Sequence, residues 1–430
     1  MKRVLIISPY FPPVNSADMQ RVRMSLPYFK AFGWDAEVVT VDTQHNDFPV
    51  DNLLMQTIPP DTNIYRIGAF NKKLTSKIGL GSIALRSLWF YKRAVNKMLE
   101  SQHFDLIYFS TTQFPVCILG AYWKRKFKVP YVIDMQDPWH SDYYRDKPKD
   151  QRPPKYWFSY RLNKYLEPMA MKGVAGLISV SPAYIHQLQQ RYPHLKQQPA
   201  AVIPFGAFET DLLIAKQSGQ QFSTLIDKRF INLVYIGRGG FDMHAAISPV
   251  FAALAKAMDK QQAMQQIRIH FIGTSYAAAG TGKTSILPLA EQYGISKYVH
   301  EHPDRVSYYH ALATLLQADA LFIPGSDDPK YTASKLYPYL LSQKPIFSVF
   351  HPDSPALTVL NDFGVEHSYN FNTLTEQNVI DFFELLAQKK LAQPNYPGWA
   401  IEKYAAQQMT QKQCNLFEQV LAAQNTTISS

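Results

Sequence analysis

Cysteine is nearly absent from this chain. Its 430 residues include two cysteines, Cys117 and Cys414, which lie far apart. Neither belongs to a cysteine or histidine spacing typical of a zinc site, and two distant thiols provide no disulfide framework. We therefore predict a cytoplasmic protein in which both cysteines are buried thiols.

Long hydrophobic runs are also lacking. Residues 1–13 contain an apolar run that is too short for the core of a signal peptide and ends in prolines, which is typical of a first strand. The longest uncharged stretch, 106–123, contains Ser110, Gln113 and Pro115 and is better explained as a strand, a loop and a helix. No membrane-spanning segment is predicted.

Acidic residues are absent from 62–99, whereas eight basic residues occur there: Arg66, Lys72, Lys73, Lys77, Arg86, Lys92, Arg93 and Lys97. Residues 1–200 contain 27 basic and 15 acidic residues and have a formal charge of +12. Residues 201–430 contain 17 basic and 19 acidic residues and have a formal charge of −2.

This basic segment, interleaved with apolar residues such as Trp89, has two interpretations. It is typical of a helix on an anionic membrane surface, which would place the protein at the inner face of the plasma membrane, or of a solvated helix face over a core stripe. No nucleic-acid-binding motif accompanies it, so we expect no nucleic-acid partner.

Apolar runs alternate with helix-length segments along the first half. The runs are VLIIS, AEVVTV, DLIYFS, PYVIDM and GLISVS, and helices are predicted at 18–32, at 116–126 and after Pro182. A chain of this length exceeds what one hydrophobic core usually organises. Strands separated by helices indicate a parallel sheet with helices on both faces.

The same alternation begins again after the polar stretch 216–223, with the runs INLVYIG, IRIHFIG, VHEH, ALFIPG and PIFSVF. We predict an α/β protein with two Rossmann-like, doubly wound parallel-sheet domains that face a cleft. The predicted domains are 1–205 and 229–397, joined by an interdomain linker at 206–228. A C-terminal helix and tail, 398–430, would pack on either domain or cross back to the first.

Ligands of open parallel sheets bind beyond the carboxyl ends of the strands, so the residues that follow each strand are site candidates. After the first strand, Ser16 is expected to cap the next helix, whose amino end could hold an anion or a sugar hydroxyl; a plain helix cap explains it equally well. The first strand of the second half is followed by GRGG, 237–240. There, Gly237 and Gly239 let the backbone approach a phosphate, and Arg238 offers a cation.

Two further loops carry charged side chains. Asp327 and Asp328 follow the run ALFIP, and Ser334 is expected to cap a helix with Lys335 in its first turn. A lysine at that place opposes the helix dipole unless an anion binds there, so we predict a phosphate contact. The loop after PYVI carries Asp134, Asp137, His140 and Asp142 without a metal-ligand spacing, so we favour a catalytic or hydroxyl-binding Asp137 and predict no metal site.

The ordered series of these motifs resembles glycosyltransferase family 4, the retaining enzymes of the GT-B fold. The resemblance extends along nearly the whole chain and rests on the stretches SPYFPPVNSADMQRVR, YVIDMQDPW, ISVSPAYIHQL with VIPFG, YIGRGG and YTASKLYPYLLSQKPI. It implies that the first domain binds the acceptor and that the second binds a nucleotide-diphosphate sugar, which is the donor substrate and leaves no need for a cofactor.

The resemblance also implies roles for individual residues of the donor site. Arg238 and Lys335 match the pair that holds the diphosphate, and Asp327 or Asp328 lies in the loop that contacts the donor sugar. Pro338 stands where the family's ribose-binding glutamate is expected.

On the acceptor side, Arg21 and His140 are the candidate residues. Asp137 follows the position at which many family members have a histidine near the reacting carbon, which is Gln136 here.

We therefore predict a metal-independent, retaining transferase that moves a sugar to a glycan or lipid-linked acceptor, in the synthesis of a cell-surface polysaccharide. Preorganised cations can neutralise a departing diphosphate without a metal. Two alternatives are a non-catalytic partner protein that keeps the fold and a sugar-nucleotide epimerase on the same architecture.

Overall fold

The chain forms two compact units in a computed structural model. The structure describes residues 1–46, 48–153, 155–258, 260–275, 277, 280–329 and 335–429. The first unit contains Met1–Gly206 together with Ala406–Ser430, and the second contains Ala207–Ala405. The carboxyl-terminal helix therefore belongs to the first unit.

The first unit is built on a parallel sheet. Within the described ranges its strands are β1 (Lys2–Ile7), β2 (Trp34–Val41), β3 (Ile64–Ile67), β4 (Leu106–Ser110), β5 (Tyr131–Met135), β6 (Gly176–Ser179) and β7 (Ala200–Val202), in the order β3-β2-β1-β4-β5-β6-β7. The helices are α1 (Gln20–Ser25), α2 (Lys72–Thr75), α3 (Ile83–Ser101), α4 (Ile118–Phe127), α5 (Tyr156–Met171) and α6 (Pro182–Arg191).

The apolar runs become the central strands because helices cover both faces of a doubly wound sheet. Val4 of β1 lies opposite Ala36 of β2 on one side and opposite Leu106 of β4 on the other. The four residues at 4–7 are all fully buried. Cys117 and Cys414 are free and buried, as predicted.

The second unit repeats this design. Within the described ranges its strands are β8 (Ile231–Ile236), β9 (Ile267–Ile272), β10 (Val299–His302), β11 (Ala320–Pro324), β12 (Ile346–Phe350) and β13 (His367–Asn370), in the order β10-β9-β8-β11-β12-β13. Its helices are α7 (Glu209–Ser218), α8 (His244–Ala257), α9 (Leu287–Gln292), α10 (Tyr308–Gln317), α11 (Leu336–Leu341), α12 (Ala356–Asp362), α13 (Glu376–Ala387) and α14 (Gly398–Lys403). The predicted class, two Rossmann-like α/β domains with parallel sheets, is confirmed.

In the segment 206–228, predicted as a linker, residues 207–228 belong to the second unit. The segment contains α7, whose Asp211 is buried. The Asp211 carboxylate accepts hydrogen bonds of 2.8 Å from the hydroxyls of Tyr308 and Tyr309 at the start of α10. These bonds hold α7 against α10.

The helix predicted at 18–32 is broken in the structure. A short 3-10 turn, Ala17–Met19, leads into α1, which ends at Ser25, and a separate 3-10 turn covers Phe29–Phe32. Pro27 lies in the gap, and a proline lacks the N–H that would continue the helical hydrogen bonds.

The last helix, α15 (Ala406–Ser429), completes the core of the first unit. The ring of Phe417 packs 5.3 Å from that of Trp34 and 5.1 Å from that of Tyr108. The amide of Gln413 donates a 2.8 Å hydrogen bond to the hydroxyl of Ser25. Among the helices of the described ranges, none has the length and apolar character needed to cross a membrane.

Candidate functional site

Each sheet has one place where the strand order reverses direction. In the first sheet β1 lies between β2 and β4, and in the second β8 lies between β9 and β11. Connections leave to opposite sides at these points, so the carboxyl ends of β1 and β4, and of β8 and β11, border the crevices in which such sheets bind ligands. The residues that follow these four strands are therefore the first to consider.

Lys335 lies at the crevice of the second unit. Its ammonium donates a 2.7 Å hydrogen bond to the hydroxyl of Tyr235 in β8, which in turn donates a 2.8 Å bond to the carbonyl of Arg238. Burial, with a smaller contribution from the charge of Arg238, lowers the pKa of Lys335 to about 7. In the part of the chain that the structure describes, Lys335 has no carboxylate within ion-pair distance, so a bound anion would restore the charge that burial disfavours.

Arg238 is held in a fixed orientation beside this lysine. Its two terminal nitrogens bond the two carboxylate oxygens of Asp242, at 2.9 Å and 2.5 Å. Burial raises the pKa of Asp242, but the hydrogen bonds and charge of Arg238 outweigh burial, so that the pKa lies below its ordinary value. The hydroxyl of Ser326, after β11, donates a further 2.7 Å bond to Asp242. The Arg238 side chain remains partly exposed, with 28% of its area accessible.

The glycines of GRGG permit the close packing of this loop. A Cβ atom on Gly237 would lie 2.0 Å from Nζ of Lys335, and one on Gly239 would lie 2.5 Å from Oγ of Ser285. The N–H of Gly237 donates to the carbonyl of Ile272 at the end of β9. The loop thus makes room for the lysine, which is a steric reason for glycine at 237.

The two acidic residues after β11 lie beside the arginine loop. The backbone N–H of Asp327 donates a 2.7 Å hydrogen bond to the carbonyl of Asp242, and the N–H of Asp328 donates to the hydroxyl of Ser326. The side chain of Asp327 is exposed and that of Asp328 is half-buried. The predicted donor-binding residue Ser334 lies outside the described residues.

The helix that follows Lys335 begins one residue later than predicted. Because α11 starts at Leu336, the lysine occupies the position before its first turn. Pro338 lies in the first turn of α11, where the missing N–H has no helical partner to lose. The hydroxyl of Tyr339 donates to the carbonyl of Ile236 and accepts from its N–H, so α11 is joined to the end of β8.

A second helix start at this crevice is already occupied by a protein carboxylate. Glu301 of β10 accepts hydrogen bonds from the N–H groups of Ser285, Ile286 and Leu287, at 2.9, 2.9 and 2.7 Å. The N–H groups at the amino end of a helix are the ones that commonly bind an anion. Glu301 thereby fixes the start of α9, while Lys335 and Arg238 supply the cations.

The crevice of the first unit contains a buried carboxylate that the sequence analysis did not single out. Asp18 accepts hydrogen bonds from the hydroxyl of Ser16 at 2.6 Å and from that of Thr111, after β4, at 2.9 Å. Burial outweighs these bonds and raises the pKa of Asp18. Ser16 precedes the 3-10 turn as expected, but its hydroxyl binds Asp18 rather than a backbone N–H of the next turn. The only sequence signal for Asp18 is its place in the loop after β1.

Arg21 and Asp134 form a fully buried ion pair. Nε of Arg21 lies 2.7 Å from the carboxylate of Asp134, and neither side chain has exposed surface. The guanidinium also donates to the carbonyls of Ile203 and Pro204, at 2.7 Å and 3.2 Å. Arg21, the predicted acceptor-side residue, thus joins α1 to β5 and to the segment after β7.

The loop after β5 carries the other first-unit candidates. Asp137 is exposed, whereas Gln136 is buried and its amide lies within 3.1 Å of acceptors that include Ser110 and Asp134. His140 is half-buried, and its pKa is lowered by burial first and then by the charge of Arg191. Within the described ranges no group of three or more carboxylate, histidine or cysteine side chains is arranged to hold a metal ion.

The predicted residues therefore fall into two sets. Gly237, Arg238, Gly239, Asp327, Asp328 and Lys335 lie around one loop system of the second unit, and Ser16, Arg21, Asp137 and His140 lie in the first. Sequence reasoning missed Tyr235 and Asp242, which orient the two cations. Asp242 follows Arg238 by four residues, a spacing that can signal an ion pair; a tyrosine inside a strand gives no such signal.

Solved structures that match nearly the whole chain have the GT-B fold. The N-terminal domain of Candida albicans trehalose-6-phosphate phosphatase shares 13% identity, with 97% of each chain covered and a TM-score of 0.63. The α,α-trehalose 6-phosphate synthase of Burkholderia multivorans shares 12%, with 99% and 98% covered and a TM-score of 0.60. Anabaena Alr3699/HepE in complex with UDP shares 15%, with 97% and 100% covered and a TM-score of 0.56. At these identities the likeness shows the fold alone.

Part of the sequence also matches a family model. Residues 28–207 match the model of Glycosyltransferase Family 4. No curated protein sequence matches the chain. The resemblance to glycosyltransferase family 4, with its two Rossmann-like domains, is confirmed.

Proposed function

We propose that the protein transfers a sugar from a nucleotide-diphosphate sugar to a glycan or lipid-linked acceptor. The observation that carries the proposal is the pair of cations in the second unit. Lys335 is desolvated and has a pKa near 7, and Arg238 is oriented by Asp242 in the same loop system. Two fixed cations after β8 and β11 suit the diphosphate of such a donor.

The proposed chemistry requires stabilisation of a leaving group. In the transfer, the bond between the anomeric carbon and a diphosphate oxygen breaks, and its electron pair stays on that oxygen. The oxygen of the acceptor hydroxyl forms the new bond to carbon, and the hydroxyl proton is released. Lys335 and Arg238 would neutralise the charge that develops on the diphosphate, which is the part of the reaction that preorganised cations accelerate. We propose that this occurs without a metal and with retention at the anomeric carbon.

The acceptor side is proposed to lie on the first unit. The exposed Asp137 would orient an acceptor or donor hydroxyl, and Gln136 behind it is fixed by the buried network of Ser110 and Asp134. His140 contributes to the same loop. A glycan or lipid-linked acceptor, and a place in cell-surface polysaccharide synthesis at the cytoplasmic face of the membrane, complete the proposal.

Calorimetric titration with UDP tests the donor site directly. UDP is the first probe because Anabaena HepE, which shares this fold, is described in complex with UDP and with UDP-glucose. A hydrogen bond to a charged group is worth about 1.5–3 kcal/mol, so Lys335→Ala is expected to weaken UDP binding by roughly 10- to 150-fold. Lys256→Ala, at an exposed lysine of the same unit, is the matched control and should bind UDP as the parent does.

The enzyme assay follows with a panel of sugar nucleotides. Slow release of free sugar from one donor, unchanged by a chelator, is the expected result without an acceptor. UDP affinity that is equal in Lys335→Ala, Arg238→Ala and the control would overturn the site. Tight binding with neither hydrolysis nor transfer would instead favour a non-catalytic partner, and conversion of one sugar nucleotide into another would favour an epimerase.

A further inference from the structure

A group of large apolar side chains is exposed on the first unit. Phe70, Leu74, Leu80, Trp89, Trp157 and Phe158 are each between 38% and 67% exposed. We call these six the aromatic patch. Single exposed apolar residues are ordinary, but a group of them on adjoining segments marks an interaction surface.

The patch joins two segments that are distant in the sequence. A Cβ atom on Gly79 would lie 2.6 Å from Cζ of Phe158, so the ring at the start of α5 rests on the turn between α2 and α3. The ring of Phe70, which precedes α2, lies 6.3 Å from that of Trp89 in α3. Two contacts therefore link these exposed side chains: one joins the start of α5 to the turn before α3, and the other joins Phe70 to α3.

The side chains that border the patch are basic. Lys72, Lys73, Lys77, Arg93, Lys155 and Arg161 are all exposed, and the guanidinium of Arg93 lies 5.4 Å from the ring centre of Trp89. Residues 143–165 contain seven basic and two acidic residues, and residues 62–99 contain no acidic one. Arg86 is an exception within the basic segment, because it is buried and donates to the carbonyls of Phe70 and His45.

The exposure of Trp89 bears on the two interpretations of the basic segment. A helix face that is merely solvated needs no large apolar side chain on its outer surface. The outer surface of α3 exposes half of Trp89 next to Lys92 and Arg93, while Ile83, Tyr91 and Val95 already fill the core. Trp89 is therefore not one of the apolar side chains with which α3 packs against the core.

We propose that the aromatic patch and its basic border bind the surface of an anionic lipid membrane. Tryptophan and phenylalanine suit the boundary between headgroups and acyl chains, and lysine and arginine suit the negative headgroups above it. The excess of basic over acidic side chains around the patch favours an anionic lipid surface over a protein partner, whose interfaces usually carry both signs. This interaction concerns neither the donor site nor the transfer reaction, so its test is independent of both.

Co-sedimentation of the full chain with lipid vesicles tests the proposal. Each basic residue near an anionic surface contributes about fivefold to the partition coefficient. The parent should bind vesicles of phosphatidylcholine with about one third phosphatidylglycerol, release at high salt, and bind pure phosphatidylcholine far more weakly. The triple variant Lys72→Glu, Lys73→Glu, Lys77→Glu should lose roughly a hundredfold or more of the binding to anionic vesicles.

The matched control changes the same charge on the second unit. Lys228, Lys389 and Lys390 are exposed there, and their replacement by Glu should leave vesicle binding within about twofold of the parent. Equal loss in both triple variants would mean that net charge alone controls binding and would overturn the assignment of the surface. Equal binding of the parent to neutral and anionic vesicles would overturn it as well.

Tryptophan fluorescence gives a second measurement that does not depend on charge. Brominated acyl chains should quench the parent, and the double variant Trp89→Phe, Trp157→Phe should lose most of that quenching while it still sediments with anionic vesicles. Unchanged quenching in the double variant would contradict insertion of this patch. Concentration-dependent dimers that disappear in Phe158→Ser would identify a second copy of the chain as the occupant instead, and would also overturn the proposal.

Discussion

Each unit places an arginine and an aspartate beside the strand-order reversal of its sheet, and the two pairs differ in exposure. Arg21 and Asp134 have no exposed surface, and carbonyl groups take up the remaining guanidinium bonds. Arg238 and Asp242 keep 28% and 17% of their side-chain area exposed. The same chemical pair is thus sealed inside the first unit and accessible to solvent in the second, where the proposed donor would meet Arg238.

The largest effect on stability is expected at the buried pair, Arg21 and Asp134. Removal of one partner leaves a buried charge uncompensated, so Asp134→Ala should lower the free energy of unfolding by about 3–5 kcal/mol. Denaturant unfolding, followed by the fluorescence of Trp34 and its neighbours in the first unit, measures it. A loss below about 1 kcal/mol would mean that the pair does not hold α1 to the sheet.

For the partly exposed pair, Arg238 and Asp242, a substitution should affect activity more than stability. Arg238→Ala is expected to cost less than about 1 kcal/mol of unfolding free energy, because partly exposed ion pairs contribute little. It should slow sugar transfer by about 10²- to 10³-fold, since it removes a preorganised cation from the leaving group. If Arg238→Ala lowers the free energy of unfolding and leaves the transfer rate unchanged, the role of Arg238 is structural, as that of Arg21 is, and the proposed difference between the two arginines is wrong.

The protonation of Lys335 adds a pH dependence to the proposed donor site of the second unit. Its pKa of about 7 in the folded protein lies below the ordinary value, so its charge is lost as the pH rises through 7. UDP affinity should then fall by up to about tenfold for each pH unit above 7. Between pH 7 and the ordinary lysine pKa, the unfolded state binds more protons, so the unliganded protein gains stability with pH from this group.

Calorimetric titrations from pH 6.5 to 8.5 measure the dependence of UDP affinity. Lys335→Arg keeps its charge through this range and should give a nearly flat profile, as a control. A profile of equal slope in Lys335→Arg would assign the dependence to another group.

The smallest effect on UDP affinity is expected at the glycine that accommodates the lysine. Gly237→Ala places a methyl group where Nζ of Lys335 lies and 2.9 Å from the hydroxyl of Tyr235, on a backbone whose φ of 159° disfavours a side chain. UDP affinity should fall by roughly tenfold or less, the equivalent of about one weakened hydrogen bond, and the backbone strain should lower the unfolding free energy by about 1–3 kcal/mol. The same substitution in a Lys335→Ala background should have no further effect on affinity; an additional loss would show that Gly237 acts through the backbone instead.

The fold was predictable because the apolar runs are long and regular. The helix predicted at 116–126 corresponds to α4, Ile118–Phe127, which follows a 3-10 turn at Phe114–Cys117. The short strands β3 and β13 were missed, because IYRI and HSYN lack the continuous apolar character of β8 or β12. Each of these two segments becomes a strand because it pairs with the neighbouring strand, and its own sequence does not indicate this.

The positions of the two candidate cations could be predicted from the sequence, and the contacts of the candidate site could not. Lys335 and Arg238 follow strands, and that position can be read from the sequence. The contact of Arg21 with Asp134 joins residues 113 positions apart, and nothing local distinguishes an arginine that will be buried from one that will face a ligand. The role of Tyr235 likewise depends on a partner 100 residues away.

The position of α15 has a consequence for how the protein is made. The core of the first unit needs Phe417 against Trp34 and Tyr108, yet the ribosome completes the whole second unit before it adds this helix. At 5–20 residues per second, roughly 200 intervening residues take about 10–40 s to synthesise. During that time the nascent first unit lacks Phe417, and the faces of Trp34 and Tyr108 on which it packs are without that cover.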